Sequence, residues 1–410
     1  MRSPDRISRF ALSRRRFLKR MAMGSLGAAA LSSSPEAMAK ALALGISNDA
    51  EQDVGISEGI VRLNFNENPL GPSPKAIEAI QTILHGMNRH GINTSDVFMK
   101  LNRMAGVDYS DLNLQKREDQ DTMWKRNRVY ISDGSANLLR AAAFACLRKG
   151  GEVIEADPGY GDVSEHASYM DGELGMDVKV KRIPLTSEFR HDLDAMHKEV
   201  NDHTRLVVVT NPNNPTGTVV SRTDLEQFVV SMPDHVTVLV DEAYMDYVKD
   251  PEYRSMGDVA VSRPNVLVTR TFSKIYGLPG LRVGYALAVP ETLNNFWIYT
   301  SFPSSIAIHA ATAALDDLGH VAATRQLAWE GRDYLYNTLD TMGLSYVRTE
   351  SNFMIVEVGD AEEITRKLAR QNVFVRNAER IWKVSNHIRV SIGTAKENEA
   401  FIIALRQAST

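Results

Sequence analysis

The 410-residue chain has a single cysteine, Cys146. One thiol closes no internal disulfide and builds no metal-ligand cluster. Its setting in an Ala/Leu-rich helical pattern marks it as a small core residue. Positive charge is not in excess either. Lys and Arg number 47 against 51 Asp and Glu, a formal net charge of −4, so no basic surplus is on hand for a phosphate backbone and nucleic acid is not an expected partner. Long apolar runs are missing too. The mild stretch from Met21 to Leu31 is too short to serve as a membrane span. There is no internal repeat and no low-complexity segment. With 43% hydrophobic and 24% charged residues, the composition is that of a soluble globular protein, and the length suggests one large domain plus a smaller one.

The N-terminus reads as an address. Ser13-Arg14-Arg15-Arg16-Phe17-Leu18-Lys19 precedes the Met21–Leu31 run, and Ala37-Met38-Ala39 follows. A basic segment, a short apolar segment and a small-residue cleavage site form a signal peptide. The paired arginines resemble a twin-arginine (Tat) signal, which implies the Tat export machinery as a partner and a periplasmic or secreted location. Removing residues 1–39 takes away eight Lys/Arg and two Asp/Glu, which leaves a mature net charge of −10.

After a weakly periodic stretch over 40–60, Arg62 to Pro72 is a polar loop punctuated by Pro and Gly. Ser73-Pro74 then opens a helix whose apolar face is Ala76, Ile77, Ile80 and Ile83-Leu84. The charge run Gln115–Asp121 predicts a solvated helix face. From residue 129 strands and helices alternate. Strands are expected at 129–131, 152–156, 205–210, 236–240 and 266–270; the turn over 132–137 opens a helix through Leu147, and a second helix is expected at 222–231 with a capping box from Ser221 and Asp224. Such alternation means an α/β fold with a mostly parallel sheet, whose ligands sit beyond the carboxyl ends of the strands.

The motifs cluster at those ends. Lys274 follows the strand Val266–Arg270 and precedes the Gly-rich turn Gly277-Leu278-Pro279-Gly280. Lysine amines form Schiff bases with carbonyl compounds, and pyridoxal phosphate (PLP) is carried that way. Asp241, closing Val238-Leu239-Val240, is the candidate carboxylate for a pyridinium nitrogen. Asn214 and Tyr244 are candidate donors to the ring oxygen. Gly134-Ser135-Ala136 opens a helix whose N–H groups suit a phosphate, helped by Thr271, Ser273 and Arg282. Tyr160 is placed to cover the ring.

Asn211-Pro212-Asn213-Asn214-Pro215-Thr216-Gly217, Asp241-Glu242-Ala243-Tyr244 and Thr271 through Tyr285 together resemble the fold-type I PLP aminotransferases. Asn66-Glu67-Asn68-Pro69-Leu70-Gly71-Pro72 narrows the resemblance to the histidinol-phosphate aminotransferase branch, over residue 60 to the end. The resemblance implies Lys274 as covalent anchor and proton shuttle, with Asp241 and Tyr244 beside it as catalytic groups. It implies Ser135, Ala136, Tyr160, Asn214, Thr271, Ser273 and Arg282 as cofactor contacts. Arg389, Arg376 and Asn68 would bind substrate, and no metal is implied. It also implies a homodimer with shared active sites, an amino acid and a 2-oxo acid as reactants, a large domain over 90–304, and a smaller one built from 40–89 and 305–410.

Some residues depart from the family pattern. Arg89-His90 stands where the family has Arg-Tyr, and Gly134-Ser135-Ala136-Asn137 replaces Gly-Ser-Asp-Glu. With export, these changes point to an amino donor other than histidinol phosphate: a polar or cationic amino acid, or a precursor in a secondary-metabolite pathway. Two other classes stay open from sequence: a same-fold PLP enzyme doing decarboxylation, elimination, cyclisation or oxidation, and a non-catalytic PLP-binding regulator.

Overall fold

The computed structural model describes residues 59–89 and 95–409, so the signal-peptide reading of residues 1–39 and the histidine at position 90 lie outside the described residues. Ile60–Thr410 forms one compact unit. Its strands, in chain order, are β1 (Val61–Arg62), β2 (Val129–Ser132), β3 (Gly151–Asp157), β4 (Val178–Pro184), β5 (Thr204–Thr210), β6 (Thr237–Asp241), β7 (Val266–Thr271), β8 (Gly284–Leu287), β9 (Phe353–Glu357), β10 (Val373–Phe374), β11 (Arg376–Asn377) and β12 (His387–Ser391).

Seven of them form one sheet in the order β2-β8-β7-β6-β5-β3-β4. β3 to β7 run parallel, and β8 lies antiparallel between β7 and β2. The central strands read Leu206-Val207-Val208-Val209, Val238-Leu239-Val240 and Val266-Leu267-Val268, and all of these residues are buried. A parallel sheet covered on both faces needs such unbroken apolar runs. Val207, Val209, Val238, Val240 and Val268 pack into one core. Val208, Leu239 and Leu267 pack into another with the helix Ser135–Leu147, so successive residues serve opposite faces. β4, Val178-Lys179-Val180-Lys181-Arg182-Ile183-Pro184, is an edge strand whose cationic side chains blunt it against further pairing.

The remaining strands make two small sheets. β9, β12 and β11 form an antiparallel trio, and β1 pairs in parallel with β10. Ser73 caps the helix Pro74–Ile83 by accepting from the Ala76 N–H, with Pro74 at its first position as expected. Ala76 from this helix and Ala307, Ile308, Ala310, Ala311 and Ala314 from the helix Ser305–Leu315 belong to the core of the large sheet. Small apolar faces pack both helices there. The charge run lies on the helix Arg117–Arg126, which has no buried residue. Cys146 is half-buried at the edge of a core, and desolvation pushes its thiol up to about 11, which leaves it inert.

Candidate active site

Parallel pairing brings the strand ends into line: Thr210 of β5 faces Asp241 of β6, which faces Thr269 of β7. The loops leaving these ends therefore open on one side of the sheet, with Asn214, Tyr244 and Lys274 on three adjacent connections.

Lys274 donates from Nζ to the Phe65 carbonyl at 3.0 Å and lies 5.6 Å from the centre of the Tyr244 ring. Desolvation, then the Arg389 charge, lowers its amine to about 7, while Glu67 and Asp241 act in the opposite direction. A lysine so depressed has a large neutral, nucleophilic fraction at neutral pH. Asp241 is buried and accepts from the Thr269 hydroxyl at 2.9 Å. Desolvation raises its carboxyl to about 6, against the Thr269 hydrogen bond and with help from neighbouring Glu242. Among the described residues Asp241 has no ion-pair partner, and a buried acid so placed suits a site that brings its own cation. Tyr244 is buried edge-on against Phe353, at 4.9 Å between ring centres, and its oxygen accepts from Asn66 Nδ2 at 3.0 Å.

Arg389 is buried. Its Nη1 donates to Asn214 Oδ1 at 2.6 Å and its Nη2 to the Asn64 carbonyl at 3.0 Å. The guanidinium sits between the rings of Trp382 and Phe353, 4.7 and 5.2 Å from their centres, and desolvation lowers it to about 10. Arg376 is its cross-strand partner, donates from Nε to the same Asn64 carbonyl at 3.0 Å, and lies over the Phe65 ring at 4.4 Å. Among the described residues neither arginine has an ion-pair partner. Two like charges opposed across a sheet repel, and an anion between them would remove the penalty.

Ser135 and Ala136 open the helix Ser135–Leu147, whose N-terminus has no side-chain cap. Gly134 before it has φ +103°, and a Cβ there would lie 2.5 Å from Arg282 Nη2. Only glycine lets the guanidinium approach the helix start this closely. Arg282 is itself left-handed at φ 53° and donates from Nη1 to the Pro279 carbonyl at 3.1 Å. Thr271 Oγ1 accepts from the Ser273 N–H at 3.1 Å, and both residues are buried. Tyr160 is partly exposed on the turn before the helix Asp162–Gly172. That turn is tied down by Gly161 N–H donating to Glu155 Oε1 at 3.1 Å and Asn213 Nδ2 donating to the Pro158 carbonyl at 3.2 Å.

Asn68 Nδ2 donates to the Ile275 carbonyl at 2.9 Å and to Thr324 Oγ1 at 3.1 Å, while its Oδ1 accepts from the Leu70 N–H at 2.9 Å. These bonds use its amide to clamp its own loop against the turn that carries Lys274. The packing there is close: a Cβ on Gly277 would lie 2.2 Å from the Gly71 carbonyl. Sequence reading missed Asn64, Phe65 and Asn66, which bond to Arg389, Arg376, Lys274 and Tyr244. Their signal was the density of polar residues in a loop of which Asn66 and Asn68 are buried.

The donor set fits PLP. An uncapped helix start beside an arginine fork suits its phosphate, the depressed amine of Lys274 suits its aldehyde, and the buried acid Asp241 suits a protonated ring nitrogen. Asn214 and Tyr244 are left to the ring oxygen.

The family model for aminotransferase class I and II matches residues 58–405. A histidinol-phosphate aminotransferase from Moorella thermoacetica is 38% identical over 367 residues, covering 88% of each chain. Histidinol-phosphate aminotransferase 1 of Nitrosococcus oceani is 35% identical over 360 residues, 87% of this chain and 90% of that one. Among solved structures, the Sinorhizobium meliloti histidinol-phosphate aminotransferase in complex with pyridoxal-5'-phosphate has a TM-score of 0.71 at 22% identity, over 94% of this chain and 96% of its own. The Pyrococcus horikoshii aromatic aminotransferase has a TM-score of 0.69 at 20% identity, over 90% and 98%. Both structures share the fold. With the family model spanning nearly all of the described chain, and curated relatives aligned along most of their own length, this protein belongs to the class I and II aminotransferases.

Proposed function

We propose that this aminotransferase uses PLP held at Lys274 to move an amino group between an amine bearing an anionic group and a 2-oxo acid. The observation that carries the substrate class is the facing pair Arg376 and Arg389, neither neutralised by a carboxylate among the described residues. A planar guanidinium meets a carboxylate through two parallel hydrogen bonds. Arg389 takes the substrate α-carboxylate, and Arg376 takes a second anion, a carboxylate or phosphate. A cationic donor, suggested by export and surface charge, would meet two like charges there. The relatives named as histidinol-phosphate aminotransferases support a phosphorylated amine.

PLP, when bound, supplies an electron sink that weakens bonds to the substrate α-carbon. The chain's own residues do the rest. Asp241 keeps a proton on the ring nitrogen. Ser135, Ala136, Thr271, Ser273 and Arg282 grip the phosphate, and Tyr160 covers the ring. Arg389 fixes the substrate so that its α-hydrogen faces the Lys274 amine. With its pKa brought down to about 7, that amine can both take a proton and return it near neutral pH.

A substrate panel tests the reading. PLP-loaded protein mixed with dicarboxylic amino acids and phosphorylated amines should lose its visible band and release a carbonyl product, and a 2-oxo acid should restore the band. Carbon dioxide, ammonia without an acceptor, or peroxide would identify a different reaction on the same fold. A band indifferent to every amine would leave only a PLP-binding regulator.

The same proposal has the protein exported through the Tat route and working as a homodimer. The exposed apolar residues Trp297, Ile298 and Phe302, close together in the chain, support a second copy as their cover. Light scattering should give twice the chain mass. Changing Arg14 and Arg15 to Lys should retain the protein in the cytoplasm. A monomer, or unchanged export, would remove the corresponding half of this proposal.

A further inference from the structure

Asn66 lies far along the chain from every strand-end motif, yet it touches the site directly. We infer that Asn66 is a positioning residue: its side-chain amide donates to the Tyr244 oxygen and so commits the tyrosine's one proton to the ring oxygen of the cofactor. The inference rests on the PLP reading above.

The geometry leaves Asn66 little freedom. It is 1% exposed and sits at φ 55°, a left-handed conformation that asparagine tolerates better than most residues. Its N–H donates to Ser391 Oγ at 2.9 Å, and its carbonyl accepts from Asn352 Nδ2 at 3.1 Å. Ser391 Oγ in turn donates to Asn66 Oδ1 at 3.1 Å. A serine hydroxyl has one proton. The Ser391 oxygen accepts from the Asn66 N–H and gives its own proton to Asn66 Oδ1, an arrangement that assigns the oxygen end of the amide to Ser391. The NH2 end is left facing Tyr244, 3.0 Å from its oxygen.

A phenol also has one proton, and it cannot be given back to a group that is already donating. The other groups facing Tyr244 do not take it. The Lys274 amine lies over the ring face, and Phe353 is a hydrocarbon ring packed at a steep angle with nothing to accept a proton. Arg389 and Asp241 act only at longer range, in opposite directions. The proton therefore points into the cleft. Accepting a hydrogen bond also polarises the O–H and makes it a better donor; the bond from Asn66 works against the upward push of burial on the phenol. Ser391 lies two residues beyond Arg389 on β12, so Asn66 joins the substrate-carboxylate strand to the tyrosine beside the cofactor.

The variants for the test are Asn66→Gly, Tyr244→Phe and their combination. Glycine keeps the left-handed backbone and removes the amide. The readouts are the pH midpoint of the visible band of PLP-loaded protein, the apoprotein's affinity for PLP, and the melting temperature as a check on folding. Asn66→Gly should raise the midpoint by ~0.5 pH unit, the worth of one ordinary hydrogen bond, and weaken PLP binding roughly threefold. In the Tyr244→Phe background it should do neither. Ser391→Ala, which leaves the amide in place but frees it to turn over, should shift the midpoint the same way by less. Equal shifts with and without the Tyr244 hydroxyl, or no shift in Asn66→Gly where Tyr244→Phe gives one, would overturn the inference. A wild-type protein that gives no band with PLP would instead overturn the cofactor reading itself.

Discussion

Replacing Lys274 by alanine is expected to cut turnover by about 10⁴-fold or more while leaving the protein folded. The size follows from the number of tasks resting on one amine. It is the covalent anchor in the proposed function and also the group that moves the substrate proton, and removing a residue with both roles costs more than removing a contact. Folding should survive because the ammonium form is disfavoured where it sits. The folded amine titrates at about 7 against roughly 10.4 in an unfolded chain. Between those values the unfolded chain binds more protons, so this group adds stability to the apoprotein as pH rises from 7 towards 10 and withholds it at lower pH. Lys274→Ala apoprotein should thus be no less stable than wild type at pH 7, and should lack this rise on going to pH 10. Calorimetric melting across that range checks the stability, and steady-state kinetics with the visible spectrum check the rest. A variant that kept its band and turned over normally would end the assignment.

Asp241→Asn should separate stability from activity in the opposite sense to most active-site changes. Asparagine keeps the shape and can still accept from the Thr269 hydroxyl, but it cannot hold a proton on the ring nitrogen. Turnover should fall about 10²- to 10³-fold, the usual cost of removing one electrostatic partner in a dry site. The apoprotein should become more stable. The carboxyl is raised from its ordinary 3.8 to about 6, so its favourable contribution is complete below the unfolded pKa and is lost as pH climbs through the folded one. Above pH 7 the ionised, buried acid costs on the order of 3 kcal/mol. Asp241→Asn apoprotein should therefore melt above wild type at pH 8 and lose that advantage near pH 4. A variant that melts below wild type at pH 8 would mean that Asp241 is already paired, and that its buried charge is not reserved for a cofactor.

These two residues were also the easiest to find. Asp241 and Lys274 stand just past Val238-Leu239-Val240 and the β7 run, and strands buried on both faces announce themselves as unbroken apolar stretches. β4 went unseen because an edge strand rich in Lys179, Lys181 and Arg182 has no such run. β8 went unseen because four residues, Gly284 to Leu287, are too few to show a period. The pairing of Val61 with Val373 had no local trace at all. Within the site, strand-end residues were legible by position. The partners from the 64–68 loop were not, since the motif shows residue types while the carbonyls that accept from Lys274 and Arg389 belong to the backbone and leave no trace in sequence. For Asn68 the residue type was visible, but not its bonds to Ile275, Thr324 and Leu70.

The joining of Asn66 to Ser391 spans 325 positions. Contacts so distant along the chain are slow to form. A chain cut off before β12 would keep the strand-end residues from Ser135 to Arg282 but lose the bond that ties the opening loop to the far wall of the cleft.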